Sequence, residues 1–281
     1  MVDCLTRIIG TEGRTGAARG EDDKRARRSS MEGNLKIVGT ENLSLTHLVR
    51  EPRQKVSTTP PHHSVSTRPP LLLLLHGIGS NEQDLFSLAP YLDGRFLAVS
   101  ARAPFVLGPG SYGWFQIEFT PQGMVADIEQ AKRSLRLLHG FIDELIETYG
   151  ADDGCVYVAG FSQGAMMSLA LALTSPEKVA GVVAMSGRFP AQVFERGLNR
   201  KALEGMPLLV THGIYDPVLP IEQGRAIRQA LEALPVELTY KEYPMGHEVS
   251  AESLRDVSAW LSKSLDSAQA SPVKEYGSGA E

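Results

Sequence analysis

The stretch Cys155-Val-Tyr-Val-Ala-Gly-Phe-Ser-Gln-Gly-Ala-Met-Met-Ser-Leu-Ala-Leu-Ala-Leu173 indicates how this chain folds. Its first five residues are a short apolar run typical of a buried strand, and residues 163–174 have the length and apolar character of a helix. Between them stands Gly160-Phe-Ser-Gln-Gly164, the only G-x-S-x-G of the chain. A strand, this turn and a helix form the elbow that places a serine hydroxyl at the top of a sheet. The alternative interpretation is an ordinary glycine-rich turn.

Short apolar runs alternate with helical patterns along most of the chain. Runs without strict polar alternation suit strands buried on both faces, and they cover residues 71–75, 96–100, 155–159, 179–185 and 208–211. Apolar and polar residues alternate more clearly over residues 236–243, which predicts a strand near an edge of the sheet. Residues 43–49 show a less regular strand pattern and are predicted as the first strand. Helical spacing covers residues 82–92, 124–149, 163–174, 221–233 and 251–264. The pattern predicts an α/β fold with a mostly parallel central sheet and helices on both faces.

The composition excludes several classes of protein. The 281 residues carry 28 basic and 33 acidic side chains, a formal net charge of −5, which argues against a nucleic-acid binder. No apolar run approaches the roughly 20 residues of a membrane-spanning helix, and the N-terminus lacks the pattern of a signal peptide. We therefore expect a cytoplasmic protein without stable membrane insertion. Cys4 and Cys155 form neither a disulfide framework nor a zinc site, so we expect no metal.

The ends of the chain differ in composition from its middle. Residues 1–35 are rich in glycine and charge and too poor in apolar side chains to fold, so we predict a disordered extension. The predicted α/β domain occupies residues 36–268, with a long Pro/Ser/Thr-rich surface loop at 51–70. Residues 269–281 are polar and predicted to form a flexible tail.

A serine hydroxyl is a weak nucleophile, so it needs a base, and the base needs a carboxylate that orients it. On a fold with this elbow, the serine comes first in the chain, the orienting Asp or Glu second and the base, His, third. Only two histidines, His212 and His247, follow Ser162, and the only aspartate between Ser162 and His247 is Asp216. His212 precedes Asp216 and is therefore excluded as the base. The predicted catalytic residues are Ser162, Asp216 and His247.

The positions of these residues agree with a site at one edge of the sheet. Asp216 follows the apolar run that begins at residue 207, and His247 follows the run that ends at residue 243. Carboxyl ends of parallel strands meet at one edge, where such sheets carry their sites. An oxyanion hole there combines the amide after the nucleophile, Gln163, with an amide after an earlier strand, for which we choose Ile78. His76, beside it, is interpreted as a structural histidine.

Four motifs carry a resemblance to a known family. They appear in the family order as Leu75-His-Gly-Ile-Gly-Ser-Asn-Glu-Gln-Asp-Leu85, Gly160-Phe-Ser-Gln-Gly-Ala165, His212-Gly-Ile-Tyr-Asp-Pro-Val-Leu-Pro220 and Tyr243-Pro-Met-Gly-His-Glu248. Over residues 36–265 the chain resembles the phospholipase/carboxylesterase family of α/β-hydrolases, which includes acyl-protein thioesterases and small bacterial carboxylesterases. The resemblance implies an α/β-hydrolase fold without a large cap domain. It also implies a cofactor-free serine esterase acting on a small short- to medium-chain acyl ester, or alternatively on thioesters or lysophospholipids.

The resemblance extends to the substrate pocket. Trp114 and Phe115 match the substrate-side loop of the family and would line the acyl pocket, with Leu219 as a weaker candidate; the alternative for the aromatic pair is core packing. The 51–70 insertion departs from the family pattern and is a candidate for the border of the cleft. A non-catalytic binding protein with the same fold is the competing class, and the sequence leaves open whether the chain forms a homodimer.

Overall fold

The computed structural model describes residues 35–36, 43–53, 67–120, 123–193 and 198–270. In this part of the chain, eight strands form one sheet, in the order β1-β2-β4-β3-β9-β10-β11-β12. They are β1 Leu35–Lys36, β2 His47–Arg50, β3 Pro70–Leu75, β4 Leu97–Ala101, β9 Asp152–Phe161, β10 Gly181–Met185, β11 Pro207–Gly213 and β12 Glu237–Tyr243. From β4 to β12 neighbouring strands pair in parallel, whereas β1 and β2 are antiparallel additions at one edge. The predicted mostly parallel α/β sheet is confirmed, and β12 lies at an edge as expected.

Helices cover both faces of this sheet. They are α1 Gln83–Phe86, α2 Ile128–Tyr149, α3 Gln163–Thr174, α4 Ile221–Glu232 and α5 Ala251–Ala270. Leu73 of β3 belongs to the cluster with α2, α3 and α4, while Leu72, which points the other way, belongs to the cluster with α1 and α5. Each fully buried leucine contributes about 1.5–3 kcal/mol by leaving water. The two clusters explain why the central strands are apolar on both faces.

Helix α2 begins later than the sequence predicts. Helical spacing suggested a start at residue 124, but Ile128 is the first helical residue. Asp127 has an extended backbone and its carboxylate accepts a hydrogen bond from the Gln130 amide, which is the geometry of an N-cap. The preceding residues instead form a hairpin. At the other end, Gly150 adopts φ 64° and ends the helix, as predicted.

Two short hairpins between β4 and α2 were not predicted. They comprise β5 Phe105–Gly108 with β6 Ser111–Gly113, and β7 Ile117–Thr120 with β8 Gly123–Ala126. These strands are three or four residues long, which is too short for a periodic pattern to show. Helix α5 is longer than expected and includes residues 269 and 270, the first two of the predicted tail. Of the predicted disordered extension, residues 1–35, only Leu35 is described, as the first residue of β1; residues 1–34, the loop core 54–66 and residues 271–281 lie outside the described residues. No described helix is long and apolar enough to cross a membrane.

Candidate active site

The turn between β9 and α3 holds Ser162 in an uncommon backbone conformation. Its φ is 54° and its ψ is −114°, in a region that costs a residue with a side chain on the order of 1–3 kcal/mol. The Ser162 amide donates a hydrogen bond of 2.9 Å to the Met185 carbonyl at the end of β10. This bond and the two flanking elements fix the turn, so the predicted elbow is present in the structure.

Two glycines allow the elbow to pack tightly against the sheet. A Cβ atom on Gly160 would lie 2.2 Å from the carbonyl oxygen of Gly164, and one on Gly164 would lie 1.9 Å from the carbonyl oxygen of Leu75. Both distances are far below van der Waals contact, so no other residue fits without moving the backbone. The glycines therefore bring β3, β9 and α3 together directly below the serine.

The structure brings the three predicted catalytic residues into one hydrogen-bonded chain. The Ser162 Oγ lies 3.0 Å from Nε2 of His247, and Nδ1 of the same ring lies 2.7 Å from Oδ2 of Asp216. The three residues follow β9, β12 and β11, whose carboxyl ends share one edge of the sheet. With Nδ1–H donating to the carboxylate, Nε2 is left to accept the proton of the serine hydroxyl. This is the geometry of an activated serine.

The Asp216 carboxylate is held from both sides. Its Oδ2 faces His247, and its Oδ1 accepts hydrogen bonds of 2.8 Å from the amides of Val218 and Leu219. Burial raises the pKa of Asp216, but the bonds from His247 and the two amides outweigh burial and hold the pKa below its ordinary value. The carboxylate is therefore ionised at neutral pH. Nε2 of the buried His212 donates to the Leu219 carbonyl at 2.8 Å, which supports this loop.

His76 is placed as a structural residue. Its Nδ1–H donates to the Gly77 carbonyl at 2.7 Å, and its Nε2 accepts the Ala103 amide at 3.0 Å. Burial lowers the pKa of His76 to about 4, and the backbone bond to Gly77 only partly opposes this effect. The ring is neutral at pH 7 and has no free nitrogen for catalysis. The interpretation of His76 as a structural histidine agrees with this geometry.

The two predicted oxyanion donors lie beside the elbow. Gln163 is the first residue of α3, where helix amides have no partner within the helix. Ile78 follows Gly77, and a Cβ atom on Gly77 would lie 3.3 Å from the Cβ of Ser162. The loop with Ile78 therefore passes directly against the serine. Their role in binding an oxyanion belongs to the proposal below.

The three predicted pocket residues have different positions. Trp114 is fully buried, and its indole N–H donates to the His76 carbonyl at 3.0 Å, so the structure places it in the core. Phe115 lines a mostly apolar cavity that encloses about 300 Å³ of empty space, part of it open to solvent; its other lining residues are Ala126, Ile128, Ala131, Met166, Met167, Ala170, Pro190 and Gln192. Leu219 is buried, and its amide donates a hydrogen bond to Oδ1 of Asp216. Of the three, only Phe115 borders this cavity.

Two features of the site were not predicted from the sequence. The ring of Phe161 lies against that of His247, with centroids 4.8 Å apart, and so supports the imidazole from below. The side chain of Gln163, singled out only for its amide, bonds to the backbone of Trp114 and Phe115. Phe161 stands inside the G-x-S-x-G motif, which is the one signal that could have identified it. In the described ranges, no group of three or more His, Cys, Asp or Glu side chains is placed to hold a metal ion.

Residues 63–265 match the model of the family described as Phospholipase/Carboxylesterase. The chain belongs to this family. It is therefore a hydrolase with the α/β-hydrolase fold, as the motifs predicted. Among its relatives, acyl-protein thioesterase 1 of Kluyveromyces lactis is 29% identical over 211 residues, covering 69% of this chain and 92% of that protein. A probable SOBER1-like carboxylesterase of Arabidopsis thaliana is 30% identical over 215 residues, covering 71% of this chain and 80% of its own length.

A solved member of the fold supports the architecture. The crystal structure of the Bacillus cereus carboxylesterase matches with a TM-score of 0.64 over 79% of this chain and 96% of its own. The identity is 23%, so this similarity concerns the fold.

The 51–70 insertion is attached away from this site. Strand β2 runs antiparallel to β4, so Arg50 pairs with Ala98 near the amino end of β4. The connection returns at Pro70, the first residue of β3. Both attachment points therefore lie at the edge of the sheet opposite to Ser162. The described ends of the insertion do not border the cleft; residues 54–66, on which the expectation rests, lie outside the described residues.

Proposed function

We propose that this chain is a serine carboxylesterase that hydrolyses short- to medium-chain acyl esters. Ser162 is the nucleophile, His247 the general base and Asp216 the residue that orients it. The observation that carries the proposal is the chain of two short hydrogen bonds, 3.0 Å from Ser162 to His247 and 2.7 Å from His247 to Asp216. It occurs in a member of a hydrolase family, at the carboxyl edge of its sheet, where such sites lie.

In this mechanism, His247 takes the hydroxyl proton of Ser162 while Oγ attacks the ester carbonyl. The amides of Gln163 and Ile78 donate to the resulting oxyanion, and each such donor contributes about 3–4 kcal/mol to the transition state. His247 then returns the proton to the alkoxide, and the alcohol leaves an acyl-enzyme on Oγ. Water attacks by the same route, releases the carboxylic acid and restores Ser162. Ionised Asp216 stabilises the imidazolium in both halves.

In this proposal the acyl chain lies along the apolar surface that includes Phe115 and Met166. The Met166 amide donates to the Ser162 carbonyl at 3.2 Å, so Met166 lies one helical turn from the proposed nucleophile. Most side chains of this surface are apolar, which suits an alkyl chain better than a charged one.

The second candidate is an acyl thioesterase or lysophospholipase that uses the same residues. One relative, from Kluyveromyces lactis, is named an acyl-protein thioesterase. A thioester presents the same carbonyl to Ser162, and only the leaving group differs. The discriminating measurement compares kcat/KM for p-nitrophenyl esters, acyl thioesters and lysophosphatidylcholine at matched acyl lengths. Turnover of thioesters or lysophosphatidylcholine at least tenfold above that of the esters would favour the second candidate.

A fluorophosphonate probe tests whether the site is catalytic. We expect one covalent adduct at Ser162 in the folded protein, located by peptide mass spectrometry, because only an activated serine attacks the probe. Heat-denatured protein should not be labelled, since the His247 contact is lost. Absence of an adduct, together with no turnover of any ester or thioester, would instead support a non-catalytic binding protein with this fold.

A further inference from the structure

Residues 112–115, here called the bridging segment, comprise the last two residues of β6 and the first two residues of the link to β7. The segment is bonded to the loop that carries Ile78. The Gly79 amide donates to the Tyr112 carbonyl at 2.8 Å, and the indole N–H of Trp114 donates to the His76 carbonyl at 3.0 Å. The Tyr112 amide donates in turn to the Ser80 carbonyl at 2.9 Å. These bonds lie on both sides of Ile78 and hold its loop against the bridging segment.

The same segment is bonded to the elbow through one side chain. Oε1 of Gln163 accepts the Trp114 amide at 2.7 Å, and Nε2 of Gln163 donates to the Phe115 carbonyl at 2.7 Å. Gln163 is almost fully buried, so water does not compete with these two bonds. The carboxamide thus makes a two-point attachment between the first residue of α3 and the bridging segment.

Gly113 is the point at which both attachments meet. A Cβ atom on Gly113 would lie 3.3 Å from Oε1 of Gln163 and 3.4 Å from Cγ1 of Ile78. The backbone of the bridging segment is therefore packed against both residues whose amides are the oxyanion donors of the proposed mechanism. Ile78 and Gln163 belong to separate strand–loop units, so this segment is a physical connection between them.

We propose that the Gln163 side chain is a positioning residue which, through the bridging segment, sets the separation and direction of the Ile78 and Gln163 amides. This inference rests on the proposed serine esterase function. Oxyanion donors act only when they lie about 2.7–3.1 Å from the developing charge, so a small displacement weakens transition-state binding. The substrate ground state does not depend on that geometry. Loss of the attachment should therefore lower kcat and leave KM nearly unchanged.

The variant Gln163→Met tests this role because it keeps the backbone amide and the approximate side-chain length. We expect kcat for p-nitrophenyl butyrate to fall between about tenfold and 100-fold, below the roughly 10²–10³-fold loss of a deleted donor. KM should change less than about threefold. Gln130→Met is the matched control, since Oε1 of Gln130 accepts the Gln116 amide at 2.9 Å just beyond the bridging segment. That control should retain kcat within about twofold.

A trifluoromethyl ketone inhibitor separates positioning from general damage. Its hemiketal oxyanion needs both amides, so its Ki should rise in Gln163→Met in proportion to the loss of kcat/KM. The acidic limb of the pH–rate profile should keep its midpoint, because His247 and Asp216 are unchanged. Equal kcat in Gln163→Met and Gln130→Met, with both folded by circular dichroism, would overturn the proposal.

A second variant keeps the inference testable if Gln163→Met does not fold. Trp114→Phe removes the indole bond to the His76 carbonyl together with part of a fully buried ring, and it should lower kcat between about threefold and tenfold, again with KM unchanged. A Trp114→Phe protein with wild-type kcat and wild-type Ki for the ketone would overturn the proposal. Failure of the proposed function is distinct, since the wild-type protein would then show neither ester turnover nor a Ser162 adduct.

Discussion

Two serine turns at neighbouring strand ends differ in what surrounds them. Ser162 ends β9 with φ 54°, and Ser186 follows β10 with φ 50°. Each is held by a backbone bond to the next strand, from the Ser162 amide to Met185 and from the Ser186 amide to Thr211. Each is also followed closely by a tightly packed glycine. The two turns therefore share backbone strain, attachment and glycine content.

The hydroxyl groups of the two serines meet different surroundings. Ser162 is 8% exposed and its Oγ lies 3.0 Å from His247, whereas Ser186 has no exposed surface and its Oγ has no hydrogen-bond partner in the described part of the chain. A strained turn with a serine is thus insufficient for a nucleophile. In the proposed function, the base and access to solvent make the difference, because His247 contacts the hydroxyl of Ser162 and Ser186 has no such contact among the described residues.

The largest change in kcat is expected when the hydroxyl of Ser162 is removed. Ser162→Ala should lower kcat for p-nitrophenyl butyrate by roughly 10⁵-fold or more, because the covalent route is lost. The melting temperature should stay within a few degrees of wild type, since the amide bond to Met185 does not need the hydroxyl. Kinetics and thermal unfolding on the same preparation check both. Activity within tenfold of wild type would assign the nucleophile to another residue.

The second-largest effect is expected from Asp216, which contacts the His247 ring beside Ser162 and has no counterpart at Ser186 in the described ranges. Asp216→Asn should lower kcat by about 10³–10⁴-fold, because the neutral amide no longer fixes the imidazole tautomer or stabilises its charged form. A loss smaller than tenfold would mean that His247 is oriented by other contacts. Steady-state kinetics at saturating ester measures the change.

Asp216→Asn also has a pH signature in stability. The pKa of Asp216 is below its ordinary value in the fold, so its ionised form stabilises the protein above the unfolded pKa of about 3.9. That stabilisation is lost as the pH falls through the folded pKa. The difference in unfolding free energy between wild type and Asp216→Asn should therefore be constant near pH 6–7 and shrink below about pH 4. A difference that grows on acidification would contradict the assignment.

The smallest effect is expected at the second turn. Ser186→Ala should keep kcat within about threefold, and it should raise the unfolding free energy by about 1 kcal/mol because a buried hydroxyl without a partner is removed. Urea unfolding and ester kinetics measure the two quantities. A 100-fold fall in kcat would show that Ser186 takes part in the site and would end the contrast between the turns.

The sequence predicts that Ser162, Asp216 and His247 lie together, because the position of each is set by its own strand and loop. The helix after Ser162 has the predicted bounds, 163–174. Asp216 and His247 were located by strand ends and a chain-order rule, and the structure brings both to the serine. Each residue was located from its own strand and loop alone. The parallel sheet then brings the three residues together, because the carboxyl ends of its strands meet at one edge.

Features that depend on distant contacts escaped the sequence. Trp114 matched a pocket loop, yet it is fully buried and its indole N–H donates to the His76 carbonyl on another strand–loop unit. An apolar side chain looks the same in sequence whether it lines a pocket or packs in the core. The start of α2 was displaced because Asp127 could cap the helix, whereas the spacing of apolar residues continued through the hairpin before it.

The antiparallel addition of β2 has a practical consequence. Because β2 ends at Arg50 and β3 begins at Pro70, the connection between them leaves and re-enters the molecule on the side remote from Ser162. An affinity tag or a covalent tether attached at the described ends of that connection, residues 51–53 and 67–69, would orient the protein on a support with Ser162 facing the bulk solution. The fold thus provides attachment points at the edge of the sheet remote from Ser162.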